Sequence, residues 1–600
     1  MPDTSAPGTK SARSPRIEST LSSRSPLAGS IVPYVIVAGV CILLVACLFH
    51  PWKMDLRVPL EVDGDAHLHQ AIIKNFAEGG HFYINPFLGA PGQQELYDFP
   101  SPNWTHVMVW AVLRLFTHSY GVLLNVYYLL TYPLCGLTAL YAFRRFGIST
   151  GLAIAGAVLF AILPFHLIRS ESHLFLSSLY VLPLSGMVII WLATGNPVFG
   201  FELPADVPTR PAITRDGVIA LISCVLMGWD HPYYAFFTAG LLLIAGLLGT
   251  FRNGHRRAIG SAVLMCAVVA GALTTALVPN IVYFYKHGRV PVANRPAVES
   301  EMTPLTLAQL LSPVPDHRVP FLAHLRQYYD THALMVNENK TASLGFLGSV
   351  GFILSLAGLF RRRCSDFLYS LGILNLWGVL LGVMGGFGAI FAFLVSPQIR
   401  AYNRISVFIG FFSIAGLVWA LDQWLGSHSV RPGIIGMVLA PALLISIGIV
   451  DQVPRHFILP RAMVEGQYHE MDAFIGRIES SLPPGSMIFQ LPYMYFPERG
   501  PIHKMNDYDQ LVGYLHSKSL RWSYGAMHFR ETDRWQEAVS AEPPDRMIKS
   551  LSDAGFSGIF VDRFGYVDSA AALETQLRAL LKSEPITDSS GRYLFFRIGQ

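Results

Sequence analysis

The sequence predicts a polytopic α-helical membrane protein of about eleven spans, followed by a C-terminal extracytoplasmic α/β domain. Hydrophobic residues make up 52% of its 600 residues and charged residues only 14%, against roughly a quarter in soluble proteins. The apolar residues form blocks of roughly 20, which is the length of helix that crosses a bilayer. From residue 451 onward the composition is that of a soluble domain.

The N-terminal segment, residues 1–30, is basic and rich in Ser, Pro and Thr. It lacks an apolar core of its own, which predicts a disordered cytoplasmic tail. The apolar run that follows, 31–50, has no convincing small-residue cleavage site and is expected to remain as an anchor. The net charge of the chain is only +4. Because no basic stripe with interleaved aromatic residues is present, a nucleic-acid partner is not expected.

The predicted spans define a transmembrane domain over residues 31–450. They cover 31–50, 120–143, 149–163, 174–193, 216–230, 233–251, 258–284, 343–360, 367–395 (broken by MGGFG), 405–425 and 433–450. Lys and Arg accumulate in cytoplasmic loops. With the tail inside and the spans alternating, the arginine clusters near residues 144, 252 and 361 lie inside. The long first loop, 51–119, and the C-terminal domain, 451–600, then lie outside.

One further apolar segment, 103–119, is not counted as a span. It is short and carries Arg114 near its middle. As a span it would move the arginine clusters to the outside, against the positive-inside tendency. We therefore predict an amphipathic helix at the membrane interface, with Trp104 and Trp110 at headgroup depth.

The first external loop contains the acidic stretch EVDGDAHLHQ, residues 61–70. Asp65 is expected to N-cap a helix over 66–80 that a glycine pair ends, which leaves Asp63 without a structural role. A partly desolvated carboxylate has a raised pKa and accepts a proton from a hydroxyl group. We therefore predict that Asp63 or Asp65 is a catalytic base.

The same stretch supports a second hypothesis, a divalent metal site. Asp63 and Asp65, together with His67 or His69, supply ligands for one cation. Hard oxygen ligands favour Mg²⁺ or Mn²⁺. A D-x-D pair alone is a weak signal, and the preferred expectation is that no cofactor is bound.

Two stretches at external ends of spans carry ionisable residues, which are costly at membrane depth. In PFHLIRSESH, His166, Arg169 and His173 are spaced by three and four residues, so a helix would place them on one face. Such a cluster can bind a phosphate or a sugar. In GWDHPYY, Asp230 and His231 are candidate substrate ligands. The structural alternatives are interfacial snorkelling for the first group and helix capping for Asp230.

Arg400 and Arg404 open a predicted span from its external side, where arginine is disfavoured. Their position calls for an anionic partner, and guanidinium groups bind phosphate bidentately. A lipid-linked phosphate is the natural ligand, with Arg169 as a third cation. The long loop 285–342 contains the candidate substrate ligand Glu299. This loop either closes over a substrate or covers the bundle.

The C-terminal segment alternates predicted helices and strands, which indicates a small α/β domain. Its expected strands are 486–493, 558–564 and 591–598, and its expected helices are 468–482, 545–555 and 571–583. The sequence of this segment contains no phosphate-binding glycine loop, paired metal-ligand motif or nucleophile elbow. Acceptor binding or a structural cap is therefore its expected role.

Taken together, these features resemble the GT-C superfamily of integral membrane glycosyltransferases. An apolar first span leads into a long external loop bearing VDGDAHLH, further spans follow, and a soluble domain ends the chain. PFHLIRSESHL, NENKTASLG and RAYNRIS are similar to the bacterial YfhO-like group. The resemblance covers residues 31–450.

The resemblance implies transfer of a sugar from a polyprenyl-phosphate donor to a glycan, lipid or protein of the cell envelope, on the periplasmic face of a bacterial inner membrane. Asp63 or Asp65 would act as the base, and Arg404 with Arg400 would stabilise the leaving phosphate. The second acidic motif of a metal-dependent member is not evident, since Glu171 stands alone in its loop. Hypotheses from other classes are a transporter or flippase of lipid-linked sugars, which would show repeated halves, and a non-catalytic envelope assembly protein.

Overall fold

The computed structural model describes residues 30–99, 103–195, 214–252, 254, 257–361, 364–427 and 438–599. The predicted basic tail lies outside these residues except for Ser30. Nineteen α-helices and a two-stranded hairpin, β1 Ile84–Asn85 with β2 Gln94–Glu95, precede the C-terminal domain. The helices are α1 Val32–Phe49, α2 Asp65–Lys74, α3 Trp104–Arg114, α4 Tyr120–Arg145, α5 Thr150–Ala161, α6 Pro164–Arg169, α7 Leu174–Ser177, α8 Leu182–Thr194, α9 Arg215–Asp230, α10 Pro232–Phe251, α11 Ala258–Ala276, α12 Val278–His287, α13 Leu307–Leu311, α14 Pro320–His332, α15 Gly345–Leu359, α16 Asp366–Gly382, α17 Phe387–Leu394, α18 Ser406–Ser427 and α19 Ala440–Gln452.

The helical bundle contains seven stretches that are long and apolar enough to cross a membrane, counted among the described residues. An eighth results if α16 and α17, which meet at a bend of 50° where the sequence reads MGGFG, are taken as one span. Helices α9, α15 and α19, which lie in predicted spans, have 16, 15 and 13 residues. They are shorter than the roughly 20 residues that cross a bilayer. The predicted class, a polytopic helical protein, is confirmed, whereas the number of about eleven spans stays a prediction.

Helix α4 connects two opposite faces of the bundle. Its 26 residues correspond to about 39 Å at the usual rise per residue. At one end the Tyr120 hydroxyl bonds that of Tyr468 at 2.8 Å, and at the other Arg145 pairs with Asp216. We call the first end the loop face and the second the arginine face.

The segments predicted to be external meet at the loop face. Helix α2 packs against the turn at residues 171–173, and α6 packs against residues 338–341. Helix α10 packs against residues 402–405, which precede α18. Polar stretches that are far apart in sequence are therefore neighbours at one end of the bundle.

Helix α3 is the predicted amphipathic segment. It has 11 residues and exposes the apolar side chains of Met108 and Val112. Trp110, however, is fully buried against Tyr127 and Phe175. Trp110 is therefore on the face of α3 that packs on the bundle, and its depth in the membrane stays a prediction.

The C-terminal domain is a mixed five-stranded sheet with helices, as the alternation predicts. The strands are β3 Met487–Leu491, β4 Arg521–Trp522, β5 Phe556–Asp562, β6 Ile586–Thr587 and β7 Tyr593–Arg597, and the helices are α20 Arg461–Ser480, α21 Val512–His516, α22 Glu531–Ser540, α23 Pro544–Asp553 and α24 Ala571–Leu581. The strand order is β4-β3-β5-β7-β6. Strand β3 runs parallel to β4 and β5, while β7 is antiparallel to β5 and β6.

The first external loop extends this sheet at its β4 edge. The backbone N–H of Trp522 donates to the carbonyl of Phe87 at 2.8 Å, and that of Ala90 donates to the carbonyl of Trp522 at 3.0 Å. The N–H of Gly89 reaches the carbonyl of Tyr524 at 2.9 Å. The membrane part and the C-terminal domain therefore share one sheet edge at the loop face.

Candidate functional site

The DGD turn begins helix α2. Gly64 has φ 52° and ψ −133°, a conformation that residues with a side chain rarely adopt. Helix α2 then begins at Asp65, whose side chain makes no capping hydrogen bond, and Gly64 holds the N-cap position. The expectation that Asp65 caps the helix is therefore wrong, and its carboxylate instead lies in the first turn, where the helix dipole favours a negative charge.

The acidic stretch is fixed to the turn after α6 by reciprocal hydrogen bonds. The backbone N–H of Leu60 donates to Glu171 at 2.8 Å, and the N–H of Ser172 donates to Glu61 at 3.0 Å. Gln70 of α2 also donates to the carbonyl of Glu61 at 2.6 Å. These bonds hold the start of α2 against the bundle, and they give Glu171 a positioning role.

Asp65 and Asp63 have different surroundings. Oδ2 of Asp65 lies 3.4 Å from Nε2 of His173, and 48% of the Asp65 side chain is exposed. Asp63 is exposed, and its side chain has no hydrogen-bond or ion-pair partner among the described residues. His67 turns towards Asp509, at 3.9 Å between Nδ1 and Oδ1. The structure thus does not bring Asp63, Asp65 and His67 together, and the described residues contain no group of three His, Cys, Asp or Glu arranged for a metal ion.

The segment that follows α5 does not form one continuous helix. Helix α6 ends at Arg169, and Ser170 has φ 44°. His166, within α6, is buried in the bundle, stacked on Tyr132 at 3.9 Å, with Thr131 2.8 Å from its Nε2. The prediction that His166, Arg169 and His173 share one helical face is wrong, because the helix breaks at Ser170.

Arg169 and Arg404 converge on the carboxylate of Glu338. Arg169 donates to Glu338 at 2.7 Å and to Thr341 at 3.2 Å. Nε of Arg404 lies 3.8 Å from Glu338, too far for a hydrogen bond, and the Arg404 guanidinium covers the ring of Tyr233 at 4.3 Å. Burial alone would raise the pKa of Glu338, but Arg169 and Arg404 lower it to about 2. Glu338 is therefore an anion whose charge is paired mainly with the Arg169 guanidinium.

Arg404 retains unused donors. Its side chain is 12% exposed, its Nε is buried, and none of its guanidinium nitrogens donates a hydrogen bond to a described residue. A buried guanidinium without such partners is costly, so an additional acceptor is expected here. Among the predicted cations, Arg404 best fits an incoming anion.

Arg400 already has carboxylate partners within the chain. Its guanidinium contacts Glu299 at 3.3 Å and Glu498 at 3.2 Å. Arg295 completes the group, 3.4 Å from Glu299 and 2.6 Å from Glu498. These carboxylates neutralise Arg400 in the free protein, so its position alone does not require an external anion, and its role in binding a phosphate stays a prediction.

The Asp65 carboxylate titrates within this charged surrounding. Burial raises the pKa of Asp65, and the negative charges of Asp507 and Glu498 raise it further. Arg404 and Arg400 oppose the increase. The pKa therefore links the helix α2 carboxylate to groups from the C-terminal domain and from the start of α18.

Asp230 and His231 connect helices next to this cluster. Asp230 is fully buried, accepts from the Thr105 hydroxyl at 2.5 Å and lies 3.4 Å from Nε2 of His106. His231 N-caps α10, since its Nδ1 accepts from the N–H of Tyr233 at 3.3 Å. The capping residue is thus His231 and not Asp230, and Asp230 fastens α3 to α9.

Five residues that contact or electrostatically influence the candidate site residues were not among the site residues predicted from the sequence. They are Glu61, Tyr233, Glu338, Glu498 and Asp507. Glu338 lies in the quoted segment NENKTASLG and Tyr233 in GWDHPYY, so both stood inside recognised motifs. Glu498 and Asp507 lie in the C-terminal domain, whose composition gave no sign that it reaches the site.

A separate cavity of about 520 Å³ lies between α13 and α14. Its lining is largely apolar and includes Leu311, Leu325 and Tyr328. None of the clustered ionisable residues lines it. The cavity is therefore distinct from the candidate site.

Comparisons with known proteins match folds but not sequences. No family model and no curated protein sequence matches the chain. ArnT from Cupriavidus metallidurans in the apo state is similar over 96% of this chain and 99% of its own, at 12% identity and a TM-score of 0.49. The Archaeoglobus fulgidus oligosaccharyltransferase matches 88% of this chain and 69% of its own, at 12% identity and a TM-score of 0.42. The match to the mycobacterial arabinofuranosyltransferase AftD covers 96% of this chain and 42% of AftD, at 14% identity and a TM-score of 0.46. With each TM-score below 0.5, these similarities carry no conclusion about the reaction.

Proposed function

We propose that this protein is a membrane glycosyltransferase that moves a sugar from a polyprenyl-phosphate donor to a glycan, lipid or protein acceptor of the cell envelope. The site is proposed to face the periplasm of a bacterial inner membrane, with the N-terminus in the cytoplasm. The observation that carries the proposal is the position of Asp65, a half-exposed carboxylate under the electrostatic influence of Arg404, whose guanidinium donors are unused. Arg404 lies directly before the apolar helix α18, which suits a ligand with an anionic head and a lipid tail.

The proposed reaction is a direct displacement. The acceptor hydroxyl gives its proton to Asp65, and its oxygen forms a bond to the anomeric carbon of the donor sugar. The bond between that carbon and the phosphate oxygen breaks, and the electron pair leaves with the phosphate. One base suffices, and the anomeric configuration inverts.

Arg404 is proposed to bind the leaving phosphate. Charge develops on the phosphate oxygen as the glycosidic bond breaks, and donors already in place stabilise it. Arg169 supports this position, because both arginines approach Glu338. His173, 3.4 Å from Asp65, is placed to orient the carboxylate.

The bend between α16 and α17 is the one observation that favours a transporter of lipid-linked sugars, since discontinuous helices form transport sites. A transporter places its ionisable residues near the bilayer midplane. Here Asp65, Arg400 and Glu498 gather at the loop face, where the first loop meets the C-terminal domain. We therefore favour the transferase.

The test is sugar transfer by the purified full-length protein in nanodiscs, supplied with a panel of polyprenyl-phosphate sugars. Asp65→Asn is expected to lower kcat by about 10²–10⁴-fold, the usual contribution of a general base. Asp63→Asn is the matched control and is expected to retain activity. Equal losses in the two variants, or movement of the donor across the membrane without bond formation, would contradict the proposal.

Arg404→Gln provides an independent arm of this test. Loss of a donor to the developing charge is expected to lower kcat by about 10²–10³-fold. Arg145→Gln, at the arginine face, is the control for removal of one positive charge. Full activity of Arg404→Gln would remove Arg404 from the mechanism.

A further inference from the structure

An ionic ring joins the C-terminal domain to the membrane part beside the candidate site. It consists of Arg295, Glu299, Arg400 and Glu498, which we call the latch. Glu299 accepts from Arg295 at 3.4 Å and from Arg400 at 3.3 Å, and Glu498 accepts from them at 2.6 and 3.2 Å. Positive and negative groups alternate around the ring. Glu498 is its only member from beyond residue 451.

Glu498 uses each of its carboxylate oxygens for a different arginine. Oε2 accepts from Arg295 and Oε1 accepts from Arg400. Phosphate oxygens bind guanidinium groups in the same manner. The Glu498 carboxylate therefore occupies a position between two cations that suits a phosphate.

The latch is accessible to an incoming ligand. The side chains of Arg400 and Glu498 are 37% and 33% exposed. Ion pairs exposed to this extent contribute little to stability. The polyprenyl phosphate that the proposed reaction releases is a monoester with nearly two negative charges at neutral pH, so it competes well with a single carboxylate.

The backbone of Glu498 is held in an unfavourable conformation. Its φ is 55°, in the left-handed region, which is unfavourable for a residue with a side chain. Phe496, two residues before Glu498, is held in place, since it is buried and its carbonyl accepts from the N–H of His528 at 2.8 Å. The contacts to Arg295 and Arg400 favour this conformation, and their loss removes that support.

The latch also adjoins the proposed base. The charge of Glu498 acts on Asp65, and so does the charge of Arg400. A ligand that moves Glu498 therefore changes the electrostatic surroundings of Asp65.

We propose that Glu498 is a resident anion on Arg400 and Arg295, and that the phosphate of a lipid-linked ligand displaces it and so releases residues 497–507 of the C-terminal domain. This inference rests on the proposed function for the nature of the ligand. It assigns the C-terminal domain a role in sensing whether the lipid phosphate released by transfer is still bound.

The test uses the full-length protein in nanodiscs and measures hydrogen exchange of residues 497–507. Without ligand, Glu498→Gln is expected to increase exchange in this segment, because the ionic contacts at its start are lost, whereas buried Met505 and the bond from the Lys504 N–H to Phe564 still hold its later part. Glu531→Gln, an exposed residue of the same domain, is the matched control and is expected to leave exchange unchanged. Equal exchange in Glu498→Gln and the wild type would overturn the latch.

Farnesyl phosphate is the probe for displacement, with inorganic phosphate as the headgroup alone. The probe is expected to increase exchange of the segment in the wild type but not further in Glu498→Gln. Removal of the competing carboxylate is expected to tighten probe binding by about two- to fivefold. Unchanged or weaker binding by Glu498→Gln would overturn displacement. Absence of sugar transfer in the assay above would overturn the proposed function but would not alter the ligand-free exchange result.

Discussion

At the scale of single residues, the surroundings of Asp65 show how charge sets the behaviour of one carboxyl group. Burial raises its pKa, and Asp507 and Glu498 add to the increase. A base works only when deprotonated, so transfer is expected to be present above this pKa and to be lost as the pH falls through it. The acid limb of the pH profile should lie above the ordinary range of aspartate.

Asp507→Asn tests this electrostatic relation. Removal of the negative charge is expected to lower the pKa of Asp65, so the acid limb of kcat/KM against pH moves to lower pH. The control is Asp545→Asn, an exposed carboxylate of the same domain. A profile that moves to higher pH, or does not move, would show that Asp507 does not act on the base.

The sequence indicated some members of the site and not others. Asp65 and Arg404 stood out because charges beside apolar spans are unusual. Glu498 and Asp507 did not, since charged residues are common in a soluble domain and their role depends on how that domain docks. His173 appeared to share a helical face with His166 and Arg169, but the backbone turn at Ser170 separates it from them.

At the scale of elements, helix α4 fixes the path of the first loop. A Cβ atom on Gly121 would lie 1.8 Å from the carbonyl oxygen of Arg57. Asn125, one turn later, donates to the carbonyls of Leu56 and Val58 at 2.9 Å. The start of α4 therefore sets where the chain enters the acidic stretch.

Gly121→Ala tests this close packing. The added methyl group requires the loop backbone to move, which is expected to destabilise the protein by about 1–3 kcal/mol and to reduce transfer. Gly271→Ala in α11, where a Cβ meets no atom within 4 Å, is the matched control and should be neutral or slightly stabilising. Thermal unfolding in nanodiscs measures the difference, and equal Tm values would contradict the prediction.

Hydrophobic pattern predicted the elements better than it predicted their ends. The amphipathic segment at α3 and the three expected strands of the C-terminal domain occur where the periodicity placed them. The sequence did not show that Trp110 packs on the bundle, because an indole suits both the membrane interface and a buried contact. Helix α20 begins at Arg461, earlier than the expected 468–482, since Arg461 binds the first-loop carbonyl of Pro59 at 2.6 Å.

At the scale of the whole molecule, the segments on the two sides of the predicted boundary at residue 451 are joined by hydrogen bonds. Arg521 donates to the carbonyls of Pro86, Pro91 and Gly92 at 3.2, 3.0 and 2.6 Å. A sequence pattern cannot reveal this contact, because it joins distant segments through backbone carbonyls, which every residue possesses. The C-terminal domain therefore supports the first loop.

Arg521→Met tests this support. Loss of three hydrogen bonds to carbonyl oxygens is expected to increase hydrogen exchange of residues 86–92 and to reduce transfer. Arg597→Met, an exposed arginine on β7, is the control for loss of a positive charge from the sheet. Unchanged exchange in the loop would show that the backbone contacts at β4 suffice.

The contact between the first loop and β4 also has a consequence during biosynthesis. Pro86 and Arg521 are 435 positions apart, so at ~5–20 residues per second the ribosome delivers the second roughly 20–90 s after the first. Throughout that interval the nascent loop lacks its partner strand. A chain cut short by a premature stop codon would carry the Asp65 carboxylate on an unsupported loop, and such a fragment is expected to show no sugar transfer.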